Sequence, residues 1–181
     1  MHVLHRLRSI TLAILIVASY AGKTDEPPQP KGDVRQPVPA LLGRVSDYAN
    51  LLTSQERESL TAELAKYEVE TSHQIAILTV TTLNGESIEK YSLRVFNSWG
   101  LGRKGVDNGV LLTVAPADHL VRIELGLGMN RVVSNADAMR IIDETILPQF
   151  REGHFGRGIT SGTERLMLKC RAFHVSLPRA N

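Results

Sequence analysis

The chain has little that would let it work through sulfur chemistry, strong charge or a membrane span. Cys170 is the only cysteine in 181 residues, which excludes an intramolecular disulfide and a multi-cysteine zinc site. The fold must therefore be held by its core. Cys170 shares a helical face with Leu166 and Met167, so it reads as a buried thiol before an intermolecular bridge. Net charge is also scarce. The formal value is +2, but Arg6 and Arg8 lie in residues 1–21, and without that segment 19 basic residues face 19 acidic ones. Such a balance gives no electrostatic footprint for nucleic acid. After residue 21 no run is long and apolar enough to cross a bilayer, and no internal repeat is visible.

Residues 1–21 read as a secretory signal. His2, His5, Arg6 and Arg8 make a basic start, Ile10 to Ala18 is almost wholly apolar, and Ser19-Tyr20-Ala21 offers small residues before Gly22. The apolar run is short for a transmembrane helix, and a retained anchor is the alternative. The expectation is a soluble, periplasmic or secreted chain. Residues 22–40 carry five prolines and mixed charge, the composition of an extended, solvated linker. A folded domain is expected over 41–170 and a fraying tail over 171–181.

Within the domain, Gly43 to Ala49 is a lead-in segment. Thr53 and Glu56 form a capping box for a helix carrying Leu60, Leu64 and Tyr67. Ile75 to Val80 is a strand. Ser87 caps a second helix with Ile88, Tyr91, Val95 and Trp99 on one stripe. Val110 to Ala115 is a short apolar run bounded by Gly109 and Pro116, as expected for a strand covered on both faces. Pro116 to His119 reverses the chain. Leu120 to Leu125 returns antiparallel, with Val121, Ile123 and Leu125 on one face and Arg122 and Glu124 on the other. Ser134 and Asp137 cap a third helix carrying Met139, Ile142 and Ile146 that Pro148 stops. Gly153 to Gly158 reads as a flexible corner before a last helix with Ile159, Leu166 and Met167. One sheet with helices on both faces accounts for this order.

The stretch WGLGRKGVDNGVLLTVA, Trp99 to Ala115, organises the rest. Asp107 and Asn108 ahead of Gly109 are turn formers at one end of the central strand, and strand ends are where α/β sheets place their sites. Gly100, Gly102 and Gly105 also spell GxGxxG. A dinucleotide fingerprint needs strand, loop, then helix, whereas the order here is helix, loop, strand. Loop closure is the better reading.

Five segments together resemble the TPM domain family: GRVSDYANLLT at 43–53, QIAILTV at 74–80, WGLGRKGVDNGVLLTVA at 99–115, VRIELGLG at 121–128 and ILPQFREGHFGRGI at 146–159. Each is weakly specific alone; five in the right order are not. The resemblance implies an exported, Rossmann-like three-layer α/β/α sandwich, a small mixed sheet flanked by helices. Some members of this family bind calcium. Thylakoid members are linked to photosystem II assembly or repair, and one shows acid phosphatase activity. Many bacterial members end in a transmembrane helix and a Gly-rich tail, which this sequence does not show.

Asp107 is the first candidate for chemistry, then Asp47 and Asn108, all within matching segments. Oxygen ligands from loops suit a hard cation such as Ca²⁺, and Glu124 would add a carboxylate. No EF-hand pattern is present. The bland reading makes all of these turn or solvated residues. Arg103 and Lys104, beside Asp107, are the candidates for holding a phosphate. No GxSxG, Walker loop or HExxH occurs, and His73, His119, His154 and His174 lack ligand spacing and read as surface or turn residues. No catalytic residue is named by the sequence. The expected function is a calcium-binding accessory, assembly or partner-binding factor of the cell envelope, engaging an envelope protein. A weak metal-assisted acid phosphatase and a structural subunit of an envelope complex are the alternatives.

Overall fold

A computed structural model describes residues 35–176. The expected leader, residues 22–34 of the linker and residues 177–181 of the tail lie outside the described residues. The elements are β1 (Val45–Asp47), α1 (Ser54–Thr71), β2 (Gln74–Thr79), α2 (Ile88–Trp99), β3 (Gly109–Ala115), β4 (Leu120–Leu125), α3 (Asn135–Ile141), α4 (Leu147–Arg151) and α5 (Phe155–Ser176). A π-helical turn, Ile142–Ile146, joins α3 to α4, and 3-10 turns lie at Pro116–Asp118 and Leu127–Arg131. The four strands form one sheet in the order β1-β2-β3-β4. The first three are parallel and β4 runs antiparallel to β3.

Each boundary has a local cause. Thr53 and Glu56 cap each other's backbone at the start of α1, as do Ser134 and Asp137 at α3, and the Ser87 hydroxyl accepts from the Lys90 amide at α2. These contacts satisfy amides that have no partner within the helix. All seven residues of β3 are buried, because it lies between β2 and β4 with helices over both faces. On one face Leu60, Leu64 and Tyr67 of α1 join Ala138 and Ile141 of α3 and Ile159, Leu166 and Cys170 of α5 against Ile75, Ile77, Val110, Leu112 and Ile123. On the other, Ile88, Tyr91 and Val95 of α2 cover Ala76, Leu78, Leu111 and Ala115. The result is the three-layer α/β/α sandwich expected from the sequence. Truncating a fully enclosed core side chain such as Leu64 to alanine costs about 2–5 kcal/mol in folds of this kind.

The topology has one unusual consequence. Both β-α-β crossovers step the same way along the sheet, yet α1 and α2 lie on opposite faces. The two crossovers therefore have opposite hands, against the strong preference for right-handed ones. The loops leaving β1 and β2 therefore diverge to opposite faces at the carboxyl ends of these strands.

Several local expectations are corrected. The lead-in segment contains β1, too short to show a period. Pro148 does not stop the third helix, because the preceding π turn takes up the bond that a proline removes. That turn also shifts the stripe, so Ala138, Ile141 and Ile146 are buried while Met139 is 63% exposed. Gly156 and Gly158 are not part of a flexible corner. Both lie inside α5, where a Cβ would come within 2.5 Å of the Glu56 carboxylate and 2.6 Å of the Phe150 ring. α5 itself runs past Arg171 to Ser176. Residues 35–40 of the expected linker have no regular secondary structure and are held against α2. Arg94 donates to the Gln36 carbonyl at 2.7 Å and Trp99 Nε1 donates to the Pro39 carbonyl at 2.9 Å.

Candidate functional site

The α2–β3 loop is a succession of left-handed turns. Gly100, Gly102, Gly105 and Asp107 all have positive φ, a conformation that glycine takes freely and aspartate tolerates. Glycine is needed at 102 for a second reason, since a Cβ there would lie 2.8 Å from the Gly109 backbone nitrogen. Side chains tie the loop down. The Gly102 amide donates to Gln74 Oε1 at 2.8 Å, and Gln74 Nε2 donates to Glu68, which also holds Arg44. Asn108 is buried; its Oδ1 accepts from the Arg103 amide at 2.9 Å and its Nδ2 donates to the Ser72 carbonyl at 2.6 Å.

A second loop locks onto the first. The Gly126 amide donates to the Gly109 carbonyl at 2.9 Å and the Gly128 amide to the Asp107 carbonyl at 3.0 Å. The approach is so close that a Cβ on Gly126 would overlap the Asp107 carbonyl oxygen, and one on Gly128 the Val106 carbonyl oxygen. The two loops thus form one platform at the amino end of β3. Its exposed side chains include Arg103, Lys104, Val106, Asp107, Leu127 and Arg131. Val106 is 54% and Leu127 77% exposed.

The six candidates from the sequence do not converge. Asp107, Arg103 and Lys104 share the platform, and no hydrogen bond or ion pair to their side chains occurs among the described residues. Asp47 lies at the other end of the sheet. It pairs with Thr79 at the carboxyl end of β2, whereas Asn108 adjoins Gln74 at its amino end. The rise of a strand puts the two about 17 Å apart. Both oxygens of Asp47 are engaged, Oδ1 by the Leu51 amide at 3.0 Å and the Thr79 hydroxyl, Oδ2 by the Leu52 amide at 2.9 Å. Asp47 therefore ties the loop after β1 to the carboxyl end of β2. Glu124 sits opposite Leu111 and is held by Arg122 Nε at 2.7 Å.

These placements test the fit of a calcium ion. A shared centre of Asp47, Asp107, Asn108 and Glu124 does not fit, because Asp47 is remote, Asn108 Oδ1 already accepts a backbone amide, and Glu124 is paired. Among the described residues no three His, Cys, Asp or Glu side chains group as metal ligands. Asp107 alone offers an uncommitted carboxylate.

The titratable groups with displaced pKa values lie elsewhere. Burial raises the Tyr67 hydroxyl well above the usual phenol range, and raises Cys170 to about 11 and Tyr91 to about 12. Tyr67 also contacts His73 Nδ1 at 3.1 Å. His73 is thus a buried residue bridging the end of α1 to β2, not the surface residue its spacing suggests. The sequence reading also misses Gln74, Thr79, Gly126 and Gly128. The pair of glycines after a strand was the one available signal.

The geometry accords with the comparisons to known proteins. The TPM domain family matches residues 45–169. The chain belongs to the TPM domain family. No curated protein gives a significant match to it. Among solved structures, this TPM domain is similar to the N-terminal domain of a protein from P. gingivalis, at 23% identity and a TM-score of 0.69 over 76% of this chain and 87% of that one. It is also similar to the BA42 protein of the psychrophilic bacterium Bizionia argentinensis, at 24% identity and a TM-score of 0.59, covering 67% and 83%. The N-terminal domain of the cg2496 protein of Corynebacterium glutamicum has 14% identity and a TM-score of 0.54, covering 81% and 87%. At these identities the likeness shows the fold. No helix among the described residues is long and apolar enough to cross a membrane.

Proposed function

We propose that this TPM domain is a partner-binding accessory factor of the cell envelope, and that the platform of residues 101–108 and 126–131 is its recognition surface. The observation that carries this reading is the latch between the two loops. It presents Val106 and Leu127 to solvent on a fixed backbone, so little ordering entropy is lost on binding. Arg103, Lys104 and Arg131, exposed and without an ion pair among the described residues, lie in the same two loops as these apolar tips. The complementary partner is a protein surface with an apolar contact rimmed by carboxylates. Calcium enters this reading only at Asp107, whose exposed carboxylate is the oxygen donor left uncommitted.

A photo-cross-linking residue in place of Val106 or Leu127, in cells that produce the chain, tests the surface. A discrete adduct is expected from both positions and none from Val69, which is 85% exposed on α1. Equal capture from Val69, or none from the platform, removes the reading. Thermal unfolding with and without Ca²⁺ tests the ion. Any calcium-dependent rise in Tm should vanish in Asp107→Asn, which keeps the tolerance for positive φ, and survive in Asp47→Ala. Turnover of a generic phosphomonoester that is lost in Asp107→Asn would favour the phosphatase alternative instead.

A further inference from the structure

The open edge of the sheet carries an inference independent of the platform. In an antiparallel ladder, directly opposed residues alternate between pairs that exchange both backbone bonds and pairs that exchange none. The Gly126 amide donates to the Gly109 carbonyl, which sets the phase, and the register then makes Glu124 with Leu111 and Arg122 with Thr113 bonded pairs. The N–H and C=O groups of Val121, Ile123 and Leu125 therefore point away from β3, and none has a hydrogen-bond partner among the described residues. Val121 and Ile123 lie on the floor of a groove of about 500 Å³. Its walls include Glu89 of α2 on one side and Asn135, Met139 and Ile142 of the α3 layer on the other, with Leu120 at one end. Met139 is 63% and Leu120 37% exposed.

The sequence of this edge, Val121-Arg122-Ile123-Glu124-Leu125, is chemically self-complementary. When β4 is laid antiparallel on a second β4 about Ile123, Arg122 comes opposite Glu124 of the second copy and Glu124 opposite its Arg122. Val121 comes opposite Leu125, on the same face as Ile123. The centre also falls in the right phase. Ile123 has outward backbone groups, so it exchanges both bonds with its counterpart, as do Val121 and Leu125 with theirs. A one-residue slip would oppose apolar to charged residues, and a two-residue slip would put Arg122 opposite Arg122 or Glu124 opposite Glu124. We propose that two copies of this chain associate through β4 about a two-fold axis, joining their sheets into one continuous sheet. The Arg122–Glu124 pair, 2.7 Å within one chain, is shared across the axis in the dimer, and the second copy's strand covers the groove floor.

Charge reversal gives the test, with circular dichroism on every variant and mass measured by sedimentation at micromolar concentrations. The unaltered chain is expected at twice the mass of one chain. Arg122→Glu opposes glutamates and Glu124→Arg opposes arginines, so each single variant should dissociate roughly tenfold or more readily. Mixing the two single variants should restore dimers, because every facing pair is then opposite in sign, and the double reversal R122E/E124R should dimerise alone. Val121→Pro keeps every bond to β3 and removes an outward donor, and it should also be monomeric. A chain that stays monomeric, even when an unrelated extended peptide fills the groove, overturns the proposal. So does a mixture of folded single variants that fails to associate.

Discussion

The sheet has two edges, and they are finished in opposite ways. The β1 edge is three buried residues long, and the chain before and after it folds back onto it. The Leu42 amide donates to Ser46 Oγ at 3.1 Å, the Tyr48 hydroxyl to the Ala40 carbonyl at 2.7 Å, and Asp47 gathers the following loop. The β4 edge is six residues long and is anchored at its ends, by the Pro116–Asp118 turn and the Gly126–Gly128 latch, but not along its length. Short, wrapped edge strands prevent further pairing. An open one with self-complementary charge permits it in one register. The difference confines any growth of the sheet to one side.

The comparison breaks most severely at Asp47. Asp47→Ala removes the acceptor for two amides and a buried hydroxyl, so a loss of about 3–5 kcal/mol is expected. For a domain of this size that is a fall of roughly 8–15 °C in Tm, measurable by calorimetry at any calcium concentration. Gly128→Ala should come next. Its Cβ cannot fit against the Val106 carbonyl, and a cost of about 1–3 kcal/mol is expected, read as an earlier urea midpoint. Amide exchange sharpens the contrast without lowering stability. In a monomeric Arg122→Glu chain, the amides of Val121 and Leu125 should exchange about a hundredfold faster than those of residues 122 and 124, whereas β1 should show no such alternation.

The smallest effect concerns α3, which flanks the open edge. The Ser134 hydroxyl bond, followed by Lys169 and the Ser134 amide, lowers the Asp137 carboxyl from 3.8 to about 2. A depressed folded-state value means that its stabilisation is complete above the unfolded value near 4 and is lost as pH falls towards 2. Asp137→Asn should therefore lower Tm by roughly a degree or two at neutral pH and leave it unchanged near pH 2. An equal decrement at both values would assign the effect to the helix cap and not to the charge.

Much of the fold was legible because its signals are short in range. A capping box spans three residues, as at Thr53–Glu56 and Ser134–Asp137. The alternation of β4 and the apolar run of β3 need no knowledge of their neighbours. The site was less legible. Asp47 and Asp107 looked alike as loop aspartates near strands, and their difference depends on which ends of the strands lie together. Met139 was misplaced because one π turn resets the helical phase, and His73 because its partner is the Tyr67 hydroxyl, a contact that spacing rules do not read.

By itself, the sequence determined the element types, most of their limits and the family, since caps, turns and periodicity act over a few neighbouring residues. Only the tertiary structure decided that both oxygens of Asp47 are hydrogen-bonded while the Asp107 carboxylate has no partner among the described residues, that Gly126 and Gly128 hold a platform together, and that β4 keeps an open edge. Those outcomes depend on strand order and register, set by contacts such as Thr79 to Asp47 across 32 residues of chain, and a local pattern carries no record of which distant backbone will lie beside it.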